Sequence, residues 1–197
     1  MRIRSRGRLP HWEADEGTYF VTFRLHDSLP TKVLQAFEAQ RQDIRATAKA
    51  MGRELTEAER CKLARLFSAN IQRYLNAGTG SCYMKDPRIA RLVADALRHF
   101  DGNRYRLSAW CVMPNHVHVV FQAMPEHGLE EIVRSWKSFT ARFANRVLGR
   151  VGPFWQREYY DHLIRNETEF WRIVDYVAKN PEKAGLKDWP WVEVPAR

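Results

Sequence analysis

Cysteine is scarce: there are three in 197 residues, Cys61, Cys82 and Cys111, and no two form a close CxxC pair. An odd, scattered set argues against a disulfide scaffold or a zinc knuckle, so the thiols are expected to be reduced and mostly buried. Long apolar runs are also missing, and no stretch is long enough to span a bilayer. The N-terminal MRIRSRGRLPHWEADEG is basic with no apolar stretch behind it, so no secretory signal is expected and the expected location is cytoplasmic. There is no internal repeat and no low-complexity tract. Acidic residues are outnumbered, 23 Asp and Glu against 32 Lys and Arg, which leaves a formal charge of +9. A polyanion is the natural partner of such a surface.

What is present is a chain long enough for one domain, residues 1–197, with room for an insertion. Seven Trp, seven Tyr and ten Phe are more rings than a small core requires. Several stand beside cations, as in Phe154-Trp155-Gln156-Arg157, and stacking faces next to cations suit unpaired bases. Most such rings are nevertheless core in any folded domain.

Residues 18–25, Thr-Tyr-Phe-Val-Thr-Phe-Arg-Leu, are rich in β-formers and predict a strand. Helical spacing follows over 31–50. Thr56 with Glu59 forms a capping box for a second helix to about Asn76. Asp86-Pro87 predicts an N-cap and a first helical position, with an apolar stripe of Ile89, Leu92, Val93, Ala96 and Leu97 reaching Phe100. Two strands are expected at 104–112 and 116–122, joined by Met113-Pro114-Asn115. A basic helix follows from about Leu129 to Leu148, then a strand from roughly Phe154 to Ile164. A last helix is capped by Asn166 and ends near Lys179, before Pro181; the tail at Trp189-Pro190-Trp191 reads as irregular. With 31–80 set aside as a helical insertion, the order is the split β-α-β pattern of an α+β, ferredoxin-like antiparallel sheet. Helices should cover one face and leave the other open for a site, near which a C-terminal helix carries a tyrosine.

Two clusters carry chemistry. In His116-Val117-His118 the imidazoles point to one side of a strand while Val117 and Val119 face the core. Histidines so placed either share a divalent cation or are merely hydrogen-bonded or solvent-facing. The preceding Pro-Asn turn puts them at a strand start, expected near a sheet edge. On the last helix, Ile173, Val174 and Val177 form the buried stripe, with Tyr176 and Asn180 one turn apart on its border. Tyr176 there is either a packing residue or a nucleophile helped by its surroundings. Asn180 offers a carbonyl oxygen as a further ligand.

The runs Trp-Cys-Val-Met-Pro-Asn-His-Val-His-Val-Val-Phe (110–121), Gly-Pro-Phe-Trp-Gln-Arg-Glu-Tyr-Tyr-Asp-His-Leu-Ile-Arg (152–165) and Tyr-Val-Ala-Lys-Asn-Pro-Glu-Lys-Ala-Gly (176–185) occur in this order. Together they resemble the REP-associated tyrosine transposases, relatives of the IS200/IS605 single-tyrosine transposases in the HUH endonuclease superfamily. The resemblance covers the first strand and nearly all of 81–187. It implies metal-dependent cleavage and rejoining of single-stranded hairpin DNA from palindromic repeats through a 5′-phosphotyrosine. In that scheme Tyr176 is the nucleophile, His116 and His118 the metal pair, and Asn180 the third ligand for Mg2+ or Mn2+. Tyr159 and Tyr160 are assigned to structure or DNA contact. Arg134, Lys137 and Arg142 on the basic helix, with Trp155, Gln156, Arg157 and Arg165, are the expected DNA contacts, and phosphate contacts should make binding salt-dependent. A hairpin-binding regulator without turnover and a hydrolase using water are the alternatives. Relatives act as monomers or as homodimers, and both states stay open; no membrane partner is expected.

Overall fold

The computed structural model describes residues 2–6, 9–13, 17–59 and 71–196. Among these, strands β1 (Arg2–Arg6) and β2 (Leu9–Glu13) pair as an antiparallel ribbon. Then come β3 (Thr18–Arg24), α1 (Thr31–Ala50), α2 (Pro87–Arg98), β4 (Tyr105–Val112), β5 (His116–Ala123) and α3 (Leu129–Val147). The chain finishes with β6 (Tyr160–Leu163), α4 (Glu167–Ala178), the short α5 (Asn180–Lys183) and β7 (Val192–Glu193).

The main sheet runs β6-β3-β5-β4-β7, antiparallel throughout. Its first four strands have the order of the ferredoxin-like α+β fold predicted from the sequence. Two features went unpredicted. The β1–β2 ribbon has a proline in β2, Pro10, and no clean apolar alternation to announce it. The tail expected to be irregular adds β7 to the edge of β4, and the Trp189 indole donates to the Val112 carbonyl at 2.8 Å. The strand expected over Phe154–Ile164 shortens to Tyr160–Leu163, preceded by one bridge from Trp155 to Leu25.

Helix signals were read well where capping chemistry is local. The Asp86 carboxylate accepts from the Arg88 N–H with Pro87 at the first position of α2, and the Asn166 side chain accepts from the Glu169 N–H at the start of α4. Thr56 and Glu59 form the reciprocal capping box, at 2.9 and 3.2 Å. Residues 57–59 and 71–76 are helical, while the middle of that expected helix, with Cys61, lies outside the described residues. Cys82 and Cys111 are free and buried.

Alternation along the strands sorts side chains onto two faces. Val21, Phe23, Val117, Val119 and Phe121 pack with Leu97 of α2 and Trp136 of α3 in the main core. The opposite face is not open as expected. Ile173, Val174 and Val177 of α4 close on Phe20, Ala109, Cys111 and Val120 there. The helical segment at 71–76 packs Ile71 and Leu75 on Leu29, just before α1. Its return to the sheet is pinned: the Asp27 carboxylate accepts from the Ser81 N–H at 2.9 Å and from the Ser81 hydroxyl. A Cβ at Gly80, where φ is +90°, would meet the Asp27 carbonyl oxygen at 2.5 Å, so only glycine fits that approach.

Candidate functional site

The site lies on the α4 face. The Met113-Pro114-Asn115 turn, closed by Met113 N–H to His116 O at 2.8 Å, starts β5 with His116. β5 is a central strand, not an edge strand as expected from the turn, so both His116 and His118 are fully buried. Their rings converge, with the two Nε2 atoms 3.0 Å apart.

The outer nitrogens are held as well. Asn115 gives its amide N–H to the Thr79 carbonyl at 2.9 Å, which leaves its oxygen to accept from His116 Nδ1 at 2.8 Å. That assigns the proton of His116 to Nδ1 and the lone pair to Nε2. His118 Nδ1 meets the Thr22 hydroxyl at 2.8 Å, a group able to donate or accept. Burial pushes the imidazolium pKa of His116 well below its ordinary value, with its neighbour His118 adding to the effect. Burial likewise lowers His118 to about 3, opposed by the Asn180 amide. Both rings are therefore neutral at physiological pH, the state in which imidazole binds metals.

Tyr176 stands over the pair. Its ring meets His118 edge-on with centroids 5.3 Å apart, and Phe20 stacks on His118 at 5.5 Å. Burial raises the phenol pKa, partly countered by Asn180, so the hydroxyl is protonated at neutral pH. The Lys183 ammonium lies 5.0 Å from the ring centroid. Asn180 begins α5 at full burial, and neither atom of its amide has a hydrogen-bond partner of normal geometry. Such a group is costly unless something else satisfies it. Two neutral imidazole nitrogens and an unsatisfied amide fit a divalent cation. Among the described residues no three His, Cys, Asp or Glu side chains cluster as a metal cage.

In front of these groups opens a cleft of about 630 Å³, lined by Phe20, Thr22, Arg24, Tyr160, Tyr176 and Lys183 among others. Ile71, Gln72 and Leu75 form part of its wall, so the insertion shapes the site. His116 and His118 do not line the cleft; Phe20, Thr22 and Tyr176 do.

The expected DNA contacts divide into two groups. Arg134, Arg142, Arg157 and Arg165 are exposed, and Gln156 is half-buried. Trp155 is a core residue, 6% exposed, with its indole N–H on Thr140 at 2.8 Å, so in this fold its ring is not displayed to a base. Lys137 turns inward and donates to the carbonyls of Gln156 and Arg157 at 2.8 and 2.7 Å. Burial lowers its pKa to about 8. Both hold the loop that presents Gln156 and Arg157. Tyr160 lies in β6 and lines the cleft.

The sequence reading passed over Arg24, Thr22 and Lys183. Arg24 and Thr22 share the alternation of β3 with Phe20, a signal that was there to be used. The register that sets Thr22 against His118 and Arg24 against His116 was not.

Residues 86–180 match the family model described as "Transposase IS200 like". A REP-associated tyrosine transposase of Escherichia coli (strain K12) is 30% identical over 91 residues, 44% of this chain and 53% of the relative. A putative REP-associated tyrosine transposase of Haemophilus influenzae is 32% identical over 98 residues, 42% of this chain and 55% of the relative. The chain thus spans about half the length of the curated relatives it matches. A solved REP-associated tyrosine transposase bound to a REP hairpin shares the fold, with a TM-score of 0.53 and 17% identity, over 96% of this chain and 82% of that one. The resemblance drawn from the three motifs is borne out, and so is the fold class. No helix among the described residues is long and apolar enough to cross a membrane.

Proposed function

We propose that this chain, one domain with a helical insertion at about 31–80, cleaves and rejoins single-stranded DNA beside a hairpin, with Tyr176 as nucleophile. The observation that carries the reading is the convergence of the Tyr176 ring on His118, the paired Nε2 atoms of His116 and His118, and the unsatisfied amide of Asn180. His116, His118 and Asn180 would hold a divalent metal, Mg2+ or Mn2+, which when bound supplies Lewis-acid polarisation of a phosphate oxygen.

The chain's own residues do the rest. Asn115 and Thr22 orient the imidazoles from behind. Phe20 and Tyr176 flank His118 and keep water from it. The Tyr176 phenol oxygen attacks phosphorus; the bond from phosphorus to the 3′ oxygen breaks, and the proton lost by the phenol is balanced by the one gained at the 3′ hydroxyl. A 5′-phosphotyrosine remains. Because a phosphodiester is exchanged for a phosphodiester, the reverse attack by a 3′ hydroxyl rejoins DNA without ATP. Exposed Arg134, Arg142, Arg157 and Arg165 meet the DNA backbone, while Lys137 and Trp155 position the loop bearing Gln156 and Arg157.

The test is a denaturing gel of labelled single-stranded hairpin DNA with Mg2+ or Mn2+. The expected result is a covalent protein–DNA band that disappears in Tyr176→Phe and in His116→Ala. Cleavage that survives Tyr176→Phe would refute the tyrosine mechanism, and hairpin binding without any adduct would refute turnover.

A further inference from the structure

β3 carries one more charged side chain on the face of the histidines. Arg24 is directly opposite His116 in the β3–β5 register, one pair along from Thr22 and His118. Opposed residues on one face of an antiparallel pair lie within side-chain reach. Arg24 is 6% exposed, yet no carboxylate among the described residues lies within ion-pairing distance of it, and its hydrogen bond runs from Nη1 to the Ser28 hydroxyl at 3.2 Å. Ser28 in turn donates to the Leu25 carbonyl at 2.8 Å, which fixes that oxygen as an acceptor toward the guanidinium. The residue lines the cleft beside Thr22 and Tyr176.

A buried guanidinium without a counter-ion is expensive, and evolution ordinarily answers it with an acid. Its charged neighbours are the inward-facing Lys137, of like sign, and Glu158, which lines the same cleft but does not come within ion-pairing distance of it. Backbone bonds brace the position on both sides, from Gln156 N–H to the Arg24 carbonyl at 2.9 Å and from Leu25 N–H to the Asn115 carbonyl at 2.8 Å. Arg24 is therefore held between the histidine turn and the Trp-Gln-Arg loop, and it lines the same cleft as Tyr176. A rigid fork of N–H groups matches two oxygens of one phosphate.

We propose that Arg24 is the phosphate clamp of this site, gripping non-bridging oxygens of the phosphate that Tyr176 attacks. The assignment rests on the tyrosine reading above, and its test is read by binding, so the two can fail separately. In a Tyr176→Phe background, which keeps the strand intact, the probe is a REP hairpin with a single-stranded flank. It is used either fully charged or with one flank phosphate at a time replaced by a neutral methylphosphonate. Arg24→Met is expected to weaken binding of the charged probe by roughly tenfold or more. At one flank position the methylphosphonate should cost a similar factor, and there the two changes together should cost no more than either alone. Arg24→Lys, which keeps the charge without the fork, should fall between them and serves as the readout should Arg24→Met fail to fold. Unchanged affinity, or losses that multiply at every flank position, would overturn the clamp and leave the adduct experiment to judge the nucleophile.

Discussion

The two faces of the sheet are both largely buried but chemically different. Toward α2 and α3, Val21, Phe23, Val117, Val119 and Phe121 meet Leu97 and Trp136 in an apolar core. Two of its polar tips pair with each other, the Tyr105 hydroxyl donating to the Leu97 carbonyl and accepting from the Trp136 indole at 2.7 and 2.9 Å, while the Trp110 indole N–H stays buried without a partner. Toward α4, the alternate residues of the same strands are Arg24, His116 and His118, at least nine-tenths buried, joined by Asn180. Hydrophobic burial explains the first face. On the second it explains the packing of α4 on Phe20, Ala109, Cys111 and Val120 but not the buried polar groups, which desolvation opposes, nor the unsatisfied Asn180 amide. One face holds the fold together, and the other spends part of that stability on holding a site in readiness.

The sharpest way to break this contrast is to trade stability against chemistry. Phe121→Ala removes a fully buried ring and is expected to lower unfolding free energy by about 3–5 kcal/mol, while folded molecules still form the adduct. Tyr176→Phe should do the reverse, abolishing the adduct with little change in a denaturant midpoint. If Tyr176→Phe were the more destabilising of the two, the contrast would fail.

A second effect should appear as pH falls. The folded state holds His118 near pKa 3, below its ordinary 6.5, so the unfolded chain takes up the proton first. The stability associated with the neutral ring is present above about pH 6.5 and is lost progressively toward pH 3. Comparing denaturation curves of the wild type and His118→Leu across this window should show a shallower acid slope in the variant; equal slopes would mean that the ring is not held neutral.

The smallest expected effect sits behind the site. Thr22→Val deletes the hydroxyl that orients His118 and nearly preserves shape. Mn2+ affinity, followed by calorimetry, should fall by roughly 10–100-fold, with Thr22→Ser restoring most of it. An unchanged affinity would show that Thr22 does not hold the ring in its binding orientation.

Much of this was legible along the chain. Capping at Asp86 and Asn166, the Thr56–Glu59 box and the β-rich runs depend on neighbours a few residues away, and they appear where the residues said they should. The pairing of His116 with His118 follows from strand alternation alone. The placement of Trp155 did not emerge, because a ring beside a cation looks the same in a core as at a DNA surface until Thr140 is seen to take its indole proton. Lys137 was misleading for the same reason: its helix position is basic and amphipathic, but its ammonium is consumed by two carbonyls from a distant loop.

The sequence by itself determined the split β-α-β order, the shared direction of the two imidazoles and the one-turn spacing of Tyr176 and Asn180, because helix and strand periods are properties of the local backbone. Only the tertiary structure decided that β5 lies in the middle of the sheet, that α4 closes over it, that the 71–75 segment walls the cleft, and that Arg24 comes to rest opposite His116. Those outcomes depend on strand order and register, which are fixed by burying whole faces against one another, and no short stretch of residues encodes them.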